Sequence, residues 1–280
     1  IPVPAELDIL SRIKHDNILS CSGVQILLLR ETKESNVAPG EDPYRYYEVI
    51  DQNTVKGQSL KNQSDVGFHI VSFLPIAEMN LCQYIESCHG TLSIEAILTI
   101  FYQICCGVWA LHVANMLHLD IKPDNILVER DATNKTKMLF KIADFSLSGP
   151  VRYSRYFSTK VHLTPCYAAP ETFKLVNSTY RYDTKVDVWS LGMLLVYMLL
   201  GDNYFDPNNY KIITPTYMYA LLGDPTKPDN ASVRKRELDN IITRSGINDR
   251  YGPGVASMLD GMLNTDPNLR CSVDDILKNP

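Results

Sequence analysis

Eight consecutive residues, His118-Leu119-Asp120-Ile121-Lys122-Pro123-Asp124-Asn125, place a carboxylate, an ammonium and a carboxamide within six positions. That combination suits phosphoryl transfer, a reaction in which positioning and charge neutralisation do most of the work and covalent chemistry by the protein does little. Taken alone the pattern is also that of a polar turn after a helix. Its meaning comes from the motifs downstream of it, in order: Asp144-Phe145-Ser146, Ala169-Pro170-Glu171, Asp187-Val188-Trp189-Ser190-Leu191-Gly192, and Asp266-Pro267-Asn268-Leu269-Arg270.

In this order and spacing, the motifs from about Leu81 to the C-terminus resemble the large lobe of a eukaryotic protein kinase, with His118, Asp120 and Asn125 matching the H-R-D-x-x-x-x-N signature. Lys122, two residues after the Asp, resembles the serine/threonine subgroup. The resemblance implies an α+β, protein-kinase-like bilobal fold, with a mainly helical large lobe and a partial small β lobe. It implies ATP and Mg2+ as cofactors and a protein hydroxyl as acceptor. Asp120 would orient and deprotonate that hydroxyl, Lys122 would neutralise the transferring phosphoryl group, and Thr164 would bridge the two. Asn125 and Asp144 offer the hard oxygens that magnesium prefers. Leu127 would lie beneath the adenine, and Glu6 stands where the family keeps the Glu that pairs with a strand lysine. His118 and Phe145 are expected to pack, Glu171 and Arg270 to form a buried ion pair, and Asp187 to accept backbone donors of the catalytic loop.

Several residues depart from the family's pattern. Leu119 replaces the Arg that bonds an activation-loop phosphate, so phosphorylation of Ser154, Ser158 or Thr159 is not expected to be the main switch. By the same resemblance Asp144 to Glu171 is the activation segment, and Ser146 there replaces a glycine and removes backbone freedom where the segment pivots. Ala168 departs from the Arg usual in the cyclin-dependent group, which 157–171 and the stretch from Tyr210 to Pro225 otherwise loosely resemble. No G-x-G-x-x-G and no lysine precede Glu6. The start at Ile1 and the end at Pro280 read as those of a fragment. An activating or scaffold protein is the further partner expected. The alternative to an enzyme is a pseudokinase that serves as a binding module.

The elements that must position these residues are legible in the periodicity. Ile94, Ile97, Leu98, Phe101, Ile104, Val108 and Leu111 recur at helical spacing behind a capping Ser93 and deliver the chain to His118. His112 and His118 read as packed, hydrogen-bonded core residues rather than metal ligands. Ile126 to Val128 and Met138 to Ala143 read as a hairpin across a turn-rich loop. Asp187 begins a buried helix, and Ser272 with Asp275 forms a capping box. Upstream, 6–18 has the spacing of a short helix and the turn after it, while Val24 to Arg30 and Phe68 to Leu74 read as neighbouring strands, with a third from Tyr44 to Ile50. The expected division is a partial small lobe over 1–74 with an insertion at about 31–67, a hinge at 75–80, and the large lobe over 81–280.

Composition narrows the partners. A net charge of -5 gives no reason to expect nucleic acid, and no basic run suggests a membrane surface. The apolar run from Val188 to Leu200 is too short to span a bilayer. Seven cysteines without a C-x-x-C pair indicate neither a disulfide framework nor a zinc site, so an intracellular setting, cytoplasmic or nuclear, is expected. The sequons at Asn62, Asn134, Asn177 and Asn230 read as chance.

Overall fold

The computed structural model describes residues 5–21, 23–31, 47–50, 66–88, 92–131, 133–134, 136–151, 164–173, 182–201, 222–224, 226–247, 249 and 251–278. The remaining parts of the expected insertion, Ser154, Ser158 and Thr159, and 202–221 lie outside them. The chain divides into two compact units, 21–75 and the combination of 1–20 with 76–280. The smaller unit holds three antiparallel strands, β1 (Gly23–Glu31), β2 (Tyr47–Ile50) and β3 (Val66–Phe73), in the order β2-β1-β3. Leu28 faces Ile50 on one side and Phe68 on the other.

The larger unit opens with α1 (Ala5–Arg12) and resumes with β4 (Met79–Asn80), α2 (Leu81–Ser87), α3 (Ile94–Val113) and β5 (Met116–Leu117). Asn80 caps α2 through a reciprocal box with Gln83, and Ser93 caps α3 by accepting the Ala96 N–H. After a 3-10 turn at Pro123–Asn125 come β6 (Ile126–Arg130) and β7 (Met138–Ile142), paired antiparallel with Val128 opposite Phe140. The short β8 (Gly149–Pro150) pairs with β5. Next come the helices α4 (Lys185–Leu200), α5 (Asn230–Ser245), α6 (Gly252–Met262) and α7 (Val273–Leu277). The last is capped by the expected Ser272–Asp275 box.

Two helices form the centre of this unit. Helix α4 buries every residue from Val186 to Met198, including Asp187 and Ser190, as a helix that is apolar nearly all round must. Helix α3 is long and apolar enough to cross a membrane, but it packs against β7, α4 and α7 and buries Ile97, Phe101, Ile104, Val108 and Leu111, which is the pattern of a core helix. Gly107 lets α3 approach closely: a Cβ there would stand 2.5 Å from the Asn17 carbonyl oxygen and 2.8 Å from Ile142 Cδ1. The turn after α1 is laced to the same strand, with Ile142 N donating to Asn17 O, Leu19 N to Ile142 O, and Asn17 Nδ2 to Phe140 O.

Candidate active site

The site is built on a buried carboxylate. Asp187, fully buried near the start of α4, accepts the backbone N–H groups of His118 and Leu119 at 2.9 Å each, one on each oxygen, and the Nε2–H of His112 at 2.9 Å. Burial alone would push this carboxyl up, but the hydrogen bonds from His112 and from the His118 backbone N–H outweigh it and hold the group below the usual 3.8. Three donors on one carboxylate hold a turn that the backbone resists, since Leu119 has φ 71°, in the left-handed region where side chains other than those of Gly, Asn and Asp are rare.

His118 is fully buried and neutral. Its Nδ1 accepts the Asp120 N–H at 3.2 Å and its Nε2–H donates to Ala143 O at 3.0 Å, so both neighbours specify one tautomer. Burial is the main cause that lowers its pKa, against the raising charges of Asp187, Asp120 and Asp144. The Phe145 ring, also buried, stands edge-on to it at 5.3 Å.

Asp120, Lys122, Asn125 and Thr164 come together in one hydrogen-bonded group. Asp120 Oδ1 accepts from Thr164 Oγ1 at 2.8 Å, and Oδ2 accepts from Asn125 Nδ2 at 2.9 Å and Lys122 Nζ at 2.8 Å. Lys122 Nζ also donates to Thr164 Oγ1 at 2.9 Å. Thr164, 44 residues after Asp120, thereby closes a triangle across the activation segment. Asn125 spends both Nδ2 bonds on Asp120, one to its backbone oxygen at 2.8 Å, so its Oδ1 accepts nothing among the described residues.

Asp144 lies next to this group through the chain, since Ala143 N donates to Asn125 O at 2.9 Å. The left-handed residue of this stretch is Asp144 itself, with φ 59°. Ser146 adopts no positive φ, so the backbone freedom of a glycine is not used there. Glu6, half-buried on α1, has its carboxyl pushed up first by burial and then by the negative charge of Asp144, which places the two acids within electrostatic reach.

The site fits a divalent cation of the magnesium type. Asn125 Oδ1 and Asp144 Oδ2 are hard oxygens that accept no hydrogen bond from a described residue. Among the described residues no group of three His, Cys, Asp or Glu forms a metal cage by itself. Two protein oxygens, with phosphates and water for the rest, is the set that magnesium commonly takes.

The structural residues stand at the far end of the activation segment. Arg270 and Glu171 form a two-pronged buried pair, Nη1 to Oε1 at 2.7 Å and Nη2 to Oε2 at 3.1 Å. The same guanidinium donates to Asn264 O and Lys185 O and lies 5.1 Å from the Trp189 ring centre. Leu127 is half-buried on β6, opposite Asn80 of β4. Two residues matter more than their sequence context suggests. His112 completes the Asp187 carboxylate, and Asn17 ties the turn after α1 to β7 and to Gln103. His112 is legible as a polar residue on a largely apolar helix, whereas Asn17, in a turn, carries no such signal.

The protein kinase domain family matches residues 52–280. The chain is 26% identical over 285 residues to Extracellular signal-regulated kinase 1 of Dictyostelium discoideum, covering 98% of this chain and 45% of that protein. It is 30% identical over 226 residues to Stress-activated protein kinase jnk-1 of Caenorhabditis elegans, covering 74% and 46%. With Mitogen-activated protein kinase 13 of Arabidopsis thaliana it shares 27% over 289 residues, covering 98% and 66%. The chain thus spans about half the length of the first two relatives. The matched region contains the Asp120 group, Asp144 and the Glu171–Arg270 pair, and the chain belongs to the protein kinase domain family.

Proposed function

We propose that the protein carrying this chain is a serine/threonine kinase that transfers the γ-phosphate of Mg-ATP to a hydroxyl of a protein substrate. The observation that carries this reading is Asp120, its carboxylate held by Thr164, Asn125 and Lys122 at hydrogen-bonding distance. An incoming serine or threonine hydroxyl donates to Asp120, which orients the oxygen and takes its proton. Lys122, held between Asp120 and Thr164, balances charge on the phosphoryl oxygens. Asn125 Oδ1 and Asp144 would hold a Mg2+ ion, which would supply charge neutralisation to the nucleotide phosphates. Residues 75–80 act as the hinge and Leu127 supports the adenine. The same reading takes an intracellular setting, cytoplasmic or nuclear, for that reaction.

A second reading, a kinase-like scaffold with little phosphotransfer, is favoured by Leu119, whose side chain is buried where the family places a phosphate-reading Arg. One experiment separates the two. In the full-length protein, Asp120→Asn should cut transfer from labelled ATP to a serine/threonine peptide library by about 10²–10⁴. Binding of Mg-ATP should persist. A wild-type protein that binds nucleotide but transfers nothing supports the scaffold, and equal rates in wild type and variant remove Asp120 from the mechanism.

A further inference from the structure

Ser146 does something that the glycine it replaces could not. Its hydroxyl donates to Asp144 Oδ1 at 2.6 Å, and its backbone N–H approaches the same oxygen at 3.3 Å. Both donors converge on Oδ1 and leave Oδ2 without a hydrogen bond among the described residues. Asn125 shows the same economy, with its amide committed to Asp120 and its Oδ1 left over. Each prospective ligand therefore offers a single oxygen.

The turn that carries Ser146 is itself anchored. Phe145 is buried against the His118 ring, Ser148 N donates to Phe145 O at 3.0 Å, and the buried Ser148 hydroxyl donates to His118 O at 3.2 Å. A hydroxyl on so fixed a base can hold a side chain in one rotamer. Asp144 needs such help because it is exposed, and among the described residues its side chain accepts no other hydrogen bond.

We propose that Ser146 is a positioning residue for Asp144, holding Oδ1 so that Oδ2 alone is presented to the nucleotide-bound magnesium ion. The proposal rests on the phosphotransfer reading of the site. Magnesium demands near-ideal octahedral geometry and takes one oxygen from each carboxylate readily. Groups that hydrogen-bond a ligating carboxylate commonly change metal affinity when removed.

The test is the affinity of full-length protein for ADP, by calorimetry, with saturating Mg2+ and with EDTA. Ser146→Ala should reduce the Mg2+-dependent gain in ADP affinity by about tenfold, while metal-free ADP affinity stays at the wild-type value. Ser146→Thr, which keeps the hydroxyl, should restore the gain. A folding defect would lower the number of sites titrated and leave the Mg2+-dependent gain per site unchanged. An alanine variant with the full wild-type gain, an equal loss with and without metal, or a threonine variant as weak as alanine overturns the role of Ser146. A wild-type protein that shows no Mg2+-dependent gain at all removes the phosphotransfer reading itself, and the proposal with it.

Discussion

A single buried imidazole shows how residue-scale chemistry sets a property of the whole fold. His118 is fully buried and its proton inventory is specified by one donor and one acceptor, so its folded pKa lies below the usual 6.5, chiefly from burial. Below pH 6.5 the unfolded chain binds a proton that the folded chain does not, and stability must fall as pH drops from there toward the folded value. Asp187 acts in a separate window, because its depressed folded pKa gives stability that is present above 3.8 and lost only as pH falls through the lower folded value. Urea midpoints measured from pH 7.5 to 5 should decline on acidification. His118→Gln should flatten that decline, and an unchanged slope would show that another group titrates there.

At the scale of elements, approach distance rather than propensity decides what a position tolerates. Gly107 sits mid-helix in α3, where alanine would ordinarily stabilise by about 1 kcal/mol. Here the added Cβ would press on the Asn17 carbonyl, which cannot move freely because it accepts the Ile142 N–H at 2.9 Å. Gly107→Ala should therefore cost about 1–3 kcal/mol, the usual range for overpacking. Gly254 on α6 is the control, since a Cβ there meets nothing within 4 Å, and Gly254→Ala should be neutral or stabilising by up to about 1 kcal/mol. Chemical denaturation of the pair measures both, and a stabilising Gly107→Ala would mean that α3 and β7 do not approach as described.

At the scale of the whole molecule, the Glu171–Arg270 pair joins segments 99 residues apart and ties the activation segment to the stretch between α6 and α7. Both side chains are almost wholly out of water, so removing one leaves the other charge buried without its partner. Arg270→Ala should cost roughly 3–5 kcal/mol. The double variant Glu171→Ala/Arg270→Ala should lose less than the sum of the two singles, because the second substitution removes the stranded charge. Additive losses in thermal unfolding would argue that the pair is not coupled.

The order of the kinase motifs, the periodic helices, the Ser93 cap, the Ser272–Asp275 box and the hairpin that carries Asn125 and Asp144 are legible in the chain, because each is written in residues a few positions apart. The Asp120–Lys122–Thr164 group and the Glu171–Arg270 pair are legible too, though only through resemblance to a family, since spacings of 44 and 99 residues contain no local signal. That Leu119 occupies a left-handed turn held by Asp187 emerges from the folded chain alone. So do the completion of that carboxylate by His112, the turning of the Ser146 hydroxyl onto Asp144, and the room that Gly107 leaves for the Asn17 carbonyl. The physical reason is common to most of them: hydrogen bonds and steric exclusions act over a few ångströms between atoms whose separation along the chain carries no pattern. Ser146 is the exception. There the contact is local, but its direction depends on the anchored turn beneath it.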